Sequence, residues 1–138
     1  MNAIIRNLLA GIGGVGAGSI VNMALVNVGP SVVPLPEGAS VSSMEGLRES
    51  MSLFTPANFI FPFLGHALGT LVGAFAAAKL AASDHMKVAL GVGVFFLIGG
   101  AMMVKMIGGP MWYNMVDLLL AYLPMGFLGG ALARRKAS

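Results

Sequence analysis

The chain has 138 residues, 57% of them apolar and 9% charged, with a mean hydropathy of +0.89. A soluble domain carries about 25% charged residues, and the 8 basic and 5 acidic residues here cannot cover a globule of this size, so a soluble fold and a disordered chain are both excluded. Cysteine is absent, which removes disulfides, Fe–S clusters and thiol chemistry, and the net charge of +3 does not point to nucleic acid, because Arg134, Arg135 and Lys136 crowd the C-terminus.

A bilayer core needs roughly 20 mostly apolar residues per helix. The first stretch to meet that requirement runs from about Leu8 to Val28. Arg6 and the small residues Ala17-Gly18-Ser19 imitate a cleaved signal, but the apolar run continues through Ile20, Val21, Met23 and Val26, which favours a retained first span. Within it, Gly11-Ile12-Gly13-Gly14-Val15-Gly16 formally matches a dinucleotide-binding G-x-G-x-x-G. With no strand before it and no βαβ unit around it, the pattern reads as helix packing.

Pro30, Pro34 and Pro36 predict an extended start to a long loop over about 29–56. Ser42-Ser43-Met44-Glu45 then reads as a capping box, followed by Met44, Leu47, Met51 and Phe54 at helical spacing. This predicts a short amphipathic helix over about 43–54 with Glu45, Arg48 and Glu49 toward water, lying on lipid or serving as a lid on the helix ends. The second span follows from about Ala57 to Leu80, the third from about Val88 to Ile107 and the fourth from about Trp112 to Leu132. Pro62 and Pro124 should kink the second and fourth. Gly108-Gly109-Pro110 predicts a tight turn, and Trp112-Tyr113 belongs to an interfacial aromatic belt. His85 reads as a solvated residue in the short turn between the second and third spans.

Placing both termini and the Ser83-Asp84-His85 turn on one side collects Arg6, Lys79, Lys87, Arg134, Arg135 and Lys136 there, against Arg48 and Lys105 opposite. The positive-inside rule makes that richer side cytoplasmic. The expected architecture is therefore an all-α integral membrane four-helix bundle forming one domain over 1–138.

Many glycines lie inside the spans. Gly14 and Gly18 share a face of the first helix, Gly65, Gly69 and Gly73 a face of the second, and Gly126 and Gly130 lie in the fourth. Small residues at this spacing let backbones approach closely in lipid, either between helices of one chain or at a homo-oligomer seam. Gly69 to Ala76 with Lys79 also aligns on Gly126 to Ala133 with Lys136, and Gly11-Ile12-Gly13-Val15 weakly echoes Gly91-Val92-Gly93-Val94, a possible parallel repeat of two hairpins.

The polar residues inside the spans are the candidate site. At about 1.5 Å per residue, Lys105 lies roughly 3 Å, Asp117 roughly 8 Å, Asn22 roughly 9 Å and His66 roughly 12 Å below the outer boundary. Asn114 sits a turn above Asp117, and Thr70 a turn below His66. An ionised carboxylate in the membrane requires a partner or a water path. These residues either form an outward-opening pocket for an ion, a proton or a small polar solute, or a hydrogen-bond network that fixes helix register, with Lys105 snorkelling to the interface. No ligand pair at helical metal spacing accompanies His66 and G-x-S-x-G does not occur, so neither an enzyme nor a metal or cofactor site is expected.

The run Phe59 to Gly73, with Phe61-Pro62-Phe63-Leu64-Gly65-His66 at its centre, and Pro110-x-Trp112-Tyr113-Asn114 resemble small four-helix bacterial inner-membrane proteins that carry no assigned activity. Size and helix count are also similar to small multidrug resistance transporters, but those proteins use a carboxylate in the first helix and this first span has none. The leading expectation is a non-catalytic membrane subunit or scaffold, working as a homo-oligomer or with a membrane-protein partner in the bilayer. The alternative is a small-solute, ion or proton transporter using the polar pocket.

Overall fold

The computed structural model describes residues 1–134, so Arg135 and Lys136 of the basic C-terminal cluster lie outside the described residues. The chain is an all-helical membrane bundle with four helical stretches long and apolar enough to cross a bilayer. Helix α1 is Ala3–Val32, α2 is Met44–Ser50, α3 is Ile60–Leu80, α4 is His85–Ile107, α5 is Met111–Leu120 and α6 is Leu123–Arg134. Ile12, Ile20 and Met23 of α1 are 68%, 72% and 62% exposed, as a lipid-facing surface requires.

Several boundaries differ from the sequence expectation for identifiable reasons. Helix α1 continues through Pro30 to Val32, so Pro30 does not open the loop. Gly29, one residue earlier, is buried with a Cβ position only 2.7 Å from Phe61 Cβ, so α1 remains packed on α3 there. Pro62 falls in the first turn of α3, where its missing N–H has no helical partner to lose, and produces no interior kink. The cap of α2 is Ser43, whose Oγ accepts from the Gly46 N–H at 3.0 Å, one residue later than the expected box, and the helix ends at Ser50 before a 3₁₀ turn over Met51–Leu53.

The fourth span is two helices. Pro124 has no N–H to give the Leu120 carbonyl, and the chain breaks at Ala121-Tyr122 before α6 starts.

Helix α3 is the centre of the bundle, packing on α1, α4 and α6. A Cβ added at Gly69 would stand 2.7 Å from the Gly18 carbonyl oxygen, and one at Gly73 would stand 2.6 Å from that of Gly14. Gly65 opposes Asn22 in the same seam. The α4–α6 seam repeats this register: Gly126 faces Gly93, and Gly130 faces Ala89 and Met86. The equivalence Gly69/Gly126 and Gly73/Gly130 therefore extends to the packing, pairing Gly18 with Gly93. The Gly11/Gly91 echo is out of that register, and both of those glycines have open space beyond the Cα. The expected packing glycines thus meet neighbours within the chain.

At the end holding the termini, the core is a close cluster of Ala74, Ala77, Ala78, Ala89 and Val92. Asn7 Oδ1 accepts from the Ala82 N–H at 2.8 Å, and Arg6 Nε donates to the Leu80 carbonyl at 3.0 Å, tying α1 to the 81–84 turn. His85 is not simply solvated, since its Nδ1 bonds the Ala78 carbonyl at 2.7 Å. The bundle is closed at this end and splays toward the loop end.

Candidate functional site

The splayed half encloses a cavity of about 530 Å³, lined by α1, α3, α4, α5 and the 33–59 loop. Its floor is the Gly18/Gly69 contact beside Thr70 and Phe96. Leu47, Met51 and Phe54 roof it, so α2 and the turn after it serve as a lid. One bond ties the lid to the bundle and two brace the loop that carries it. Arg48 Nε donates to the Met106 carbonyl in the last turn of α4 at 2.8 Å, Asn58 Nδ2 donates to the Pro34 carbonyl at 3.1 Å, and Ser50 Oγ donates to the Ser40 carbonyl at 3.1 Å. Phe59 stacks on Tyr113 with centroids 4.3 Å apart, walling the cavity beside α5. Arg48→Ala is expected to release the lid, read as faster hydrogen exchange over 44–53 with unchanged exchange in α3.

The candidate polar residues converge, with one exception. His66 Nδ1 lies 2.7 Å from Asp117 Oδ1. Asp117 is 3% exposed and collects two more donors, Tyr122 Oη at 3.0 Å on Oδ2 and Tyr113 Oη at 3.4 Å on Oδ1. When Asp117 is ionised it only accepts, so His66 Nδ1 donates to it; Nε2 is then an acceptor in the neutral ring and a second donor in the protonated one. No described residue bonds Nε2, and the His66 side chain is 31% exposed where it lines the cavity. Thr70 Oγ1 donates back to the His66 carbonyl at 2.7 Å, steadying this turn of α3.

Asn22 lines the same cavity, and its Oδ1 is buried with no hydrogen-bond partner among the described residues. A lone buried acceptor costs free energy until a donor reaches it. Asn114 lines the cavity too, but its Nδ2 faces the Gly108 and Gly109 carbonyls at 3.3 and 3.4 Å, fixing the α4–α5 turn.

Lys105 is the exception. It is exposed and is not among the lining residues, whereas Gly100, Val104 and Ile107 are. Adjacent helical residues point about 100° apart, so Lys105 faces outward beside a lining stripe. Replacing Lys105 by Ala should leave binding in the cavity unchanged in any titration.

Tyr113 and Tyr122 were not among the expected site residues. Tyr113 precedes Asp117 by four residues, a same-face signal that was legible. Tyr122 follows by five, which an unbroken helix would turn away, and only the break at Ala121-Tyr122 brings its hydroxyl back.

No protein-family model matches the chain, no curated protein is significantly similar to it, and no solved structure matches its fold.

Proposed function

We propose that the chain binds and carries a small hydrogen-bond-donating monocation, such as a guanidinium or primary ammonium compound, across a bacterial inner membrane, with both termini cytoplasmic. The observation that carries this reading is a charge imbalance in the cavity wall. Among the described residues, the lining contains Asp117 but no Lys, no Arg and no second carboxylate. His66 balances Asp117 only when it is itself protonated. Neutral His66 leaves one negative charge in a low-dielectric site, and its Nε2 is then an acceptor on a side chain that lines the cavity.

A monocation with N–H groups satisfies that acceptor and cancels the charge. A proton on His66 Nε2 does the same, so cation and proton compete and exchange of one for the other is the coupling mechanism. The groups around His66 are Asp117, which it bonds, Tyr122, whose ring stacks on it, and Tyr113, which shares Asp117 Oδ1. Guanidinium keeps its charge throughout the working pH range, so its pH dependence reports the protein. His66→Gln removes the atom at which proton and cation compete and should flatten the pH dependence of binding in a titration series.

The test is uptake of radiolabelled guanidinium into proteoliposomes. Wild type should take it up in exchange for protons, and both Asp117→Asn and His66→Ala should lose uptake while keeping their helical content. Absence of uptake by folded wild type, with both variants less stable, would instead support the scaffold reading. One observation favours that second reading: Asp117 already has three donors, as a register-fixing network needs.

A further inference from the structure

A second, open pocket of about 460 Å³ lies at the loop end of the bundle. Met51, Phe54, Phe59 and Ile107 line both it and the inner cavity, so these apolar side chains partition one from the other. The second pocket differs in having a cation, Arg48, in its wall, together with Trp112 and the Gly109-Pro110 turn.

The turn explains why Arg48 is held there. The Met106 carbonyl, in the last turn of α4, would take its helical bond from residue 110, and Pro110 has no N–H to give. Arg48 Nε supplies the missing donor at 2.8 Å. That bond leaves the two terminal guanidinium nitrogens without an acceptor among the described residues, and no described carboxylate lies within ion-pair distance of them. Glu45 and Glu49 of the same short helix are outside the pocket lining. Trp112, edge-to-face on Phe59 with centroids 5.7 Å apart, adds an indole N–H to the wall. An anchored guanidinium without a counterion, beside an indole donor, suits a phosphate, which its terminal nitrogens can grip in bidentate fashion.

Depth and surroundings identify the source of that phosphate. Helix α4 ends at Ile107 and α5 starts at Met111, so the pocket sits at the helix ends, level with lipid head groups. On α5, Met115, Val116 and Leu119 follow Trp112 by three, four and seven residues and are 51%, 39% and 62% exposed. They form one apolar helix face running from the pocket into the hydrocarbon.

We infer that the pocket seats the head group of an anionic phospholipid, its phosphate on the terminal guanidinium nitrogens of Arg48 and the Trp112 indole N–H, its acyl chain along Met115, Val116 and Leu119. The inference does not depend on what the inner cavity binds. A lipid of net negative charge neutralises Arg48, whereas the choline of phosphatidylcholine brings a like charge to it.

Trp112 is the single tryptophan of the chain, so its fluorescence reports on the pocket directly. The full chain is placed in nanodiscs of mixed phosphatidylcholine and phosphatidylglycerol, with bromine on the acyl chains of one lipid at a time, and quenching of Trp112 gives the relative affinity. Phosphatidylglycerol should be favoured by about fivefold. Arg48→Gln should abolish that preference without changing quenching by brominated phosphatidylcholine. Lys105→Gln should keep it, because Lys105 is the other described cation at this end and lies outside the pocket lining. Both replaced side chains are exposed, so both variants should fold. Excess inorganic phosphate should not displace the lipid. No preference in wild type, or equal loss in the two variants, overturns the site. Stronger quenching by both lipids in Arg48→Gln would mark a moved lid and overturn the direct contact with phosphate. Displacement by inorganic phosphate overturns the lipid assignment in favour of a soluble anion.

Discussion

Asp117→Asn should lower guanidinium affinity by roughly 100-fold, or about 3 kcal/mol, while the bundle keeps its helical content. The substitution is nearly isosteric, and with the amide oxygen in the Oδ2 position the Tyr122 hydroxyl keeps its acceptor. It removes the only carboxylate among the described residues of the cavity wall. It also changes what His66 presents: an amide nitrogen turned toward Nδ1 makes that atom an acceptor and moves the ring proton to Nε2. The cavity then offers a donor where the ligand also needs to donate, so charge and hydrogen-bond direction fail together. Asp117→Leu should behave differently. It strands His66, Tyr113 and Tyr122 around an apolar group, and breaking a buried pair in this way costs about 3–5 kcal/mol, so this variant should lose thermal stability as well as binding. Calorimetric titration with thermal melts of both variants separates the two effects.

Gly73→Val should destabilise the bundle more than any change at the site. A Cβ there stands 2.6 Å from the Gly14 carbonyl oxygen, and its next neighbour is the Gly18 Cα at 3.3 Å. Both obstacles are backbone, so α1 must move away from α3 along the seam that joins the two helices. Overpacking of this kind costs about 1–3 kcal/mol even where side chains can adjust, and here none can. A fall in Tm of about 10 °C or more is expected. Gly11→Ala and Gly16→Ala make the contrast within the same helix: their Cβ positions meet nothing within 4 Å, and Ala is the better helix former, so Tm should hold or rise slightly. Equal losses at Gly73 and Gly16 would mean that the α1–α3 contact is not the source of stability.

The amount of this that the sequence disclosed varied with the kind of interaction involved. Helical stretches crossing the membrane follow from hydropathy, which is a property of runs of residues. The close approach of α1 and α3 was legible because Gly14, Gly18, Gly65, Gly69 and Gly73 repeat at one spacing on their helices. His66 and Asp117 were placed at similar depth by counting residues, but their meeting depends on the azimuth of two helices about their axes, which no spacing within one helix reports. Lys105 shows the same gap from the other side, having the right depth and the wrong azimuth. The Tyr122 contact depends on a break in the fourth span. Pro124 signalled a kink, but whether the chain would bend or come apart into α5 and α6 was settled by packing: Ala121 is fully buried and Tyr122 lies against Gly100 of α4. The lid followed a third route. Its helix was announced by the Ser42-Ser43-Met44-Glu45 pattern, one residue ahead of the true cap, and by the apolar spacing, while its seat on the bundle hangs on the Arg48 bond to a carbonyl at the end of α4.

The central claim is that His66 Nε2 is the atom a cation meets inside the membrane. The chain has two histidines, so a His85→Gln protein carries a single imidazole, and a glutamine amide can still donate to the Ala78 carbonyl. Nitrogen-15 NMR of that imidazole during a guanidinium titration should show the Nε2 resonance moving saturably, with Nδ1 remaining protonated against Asp117. An imidazole spectrum unchanged up to high guanidinium concentration, in protein that is folded and embedded in lipid, would contradict the account.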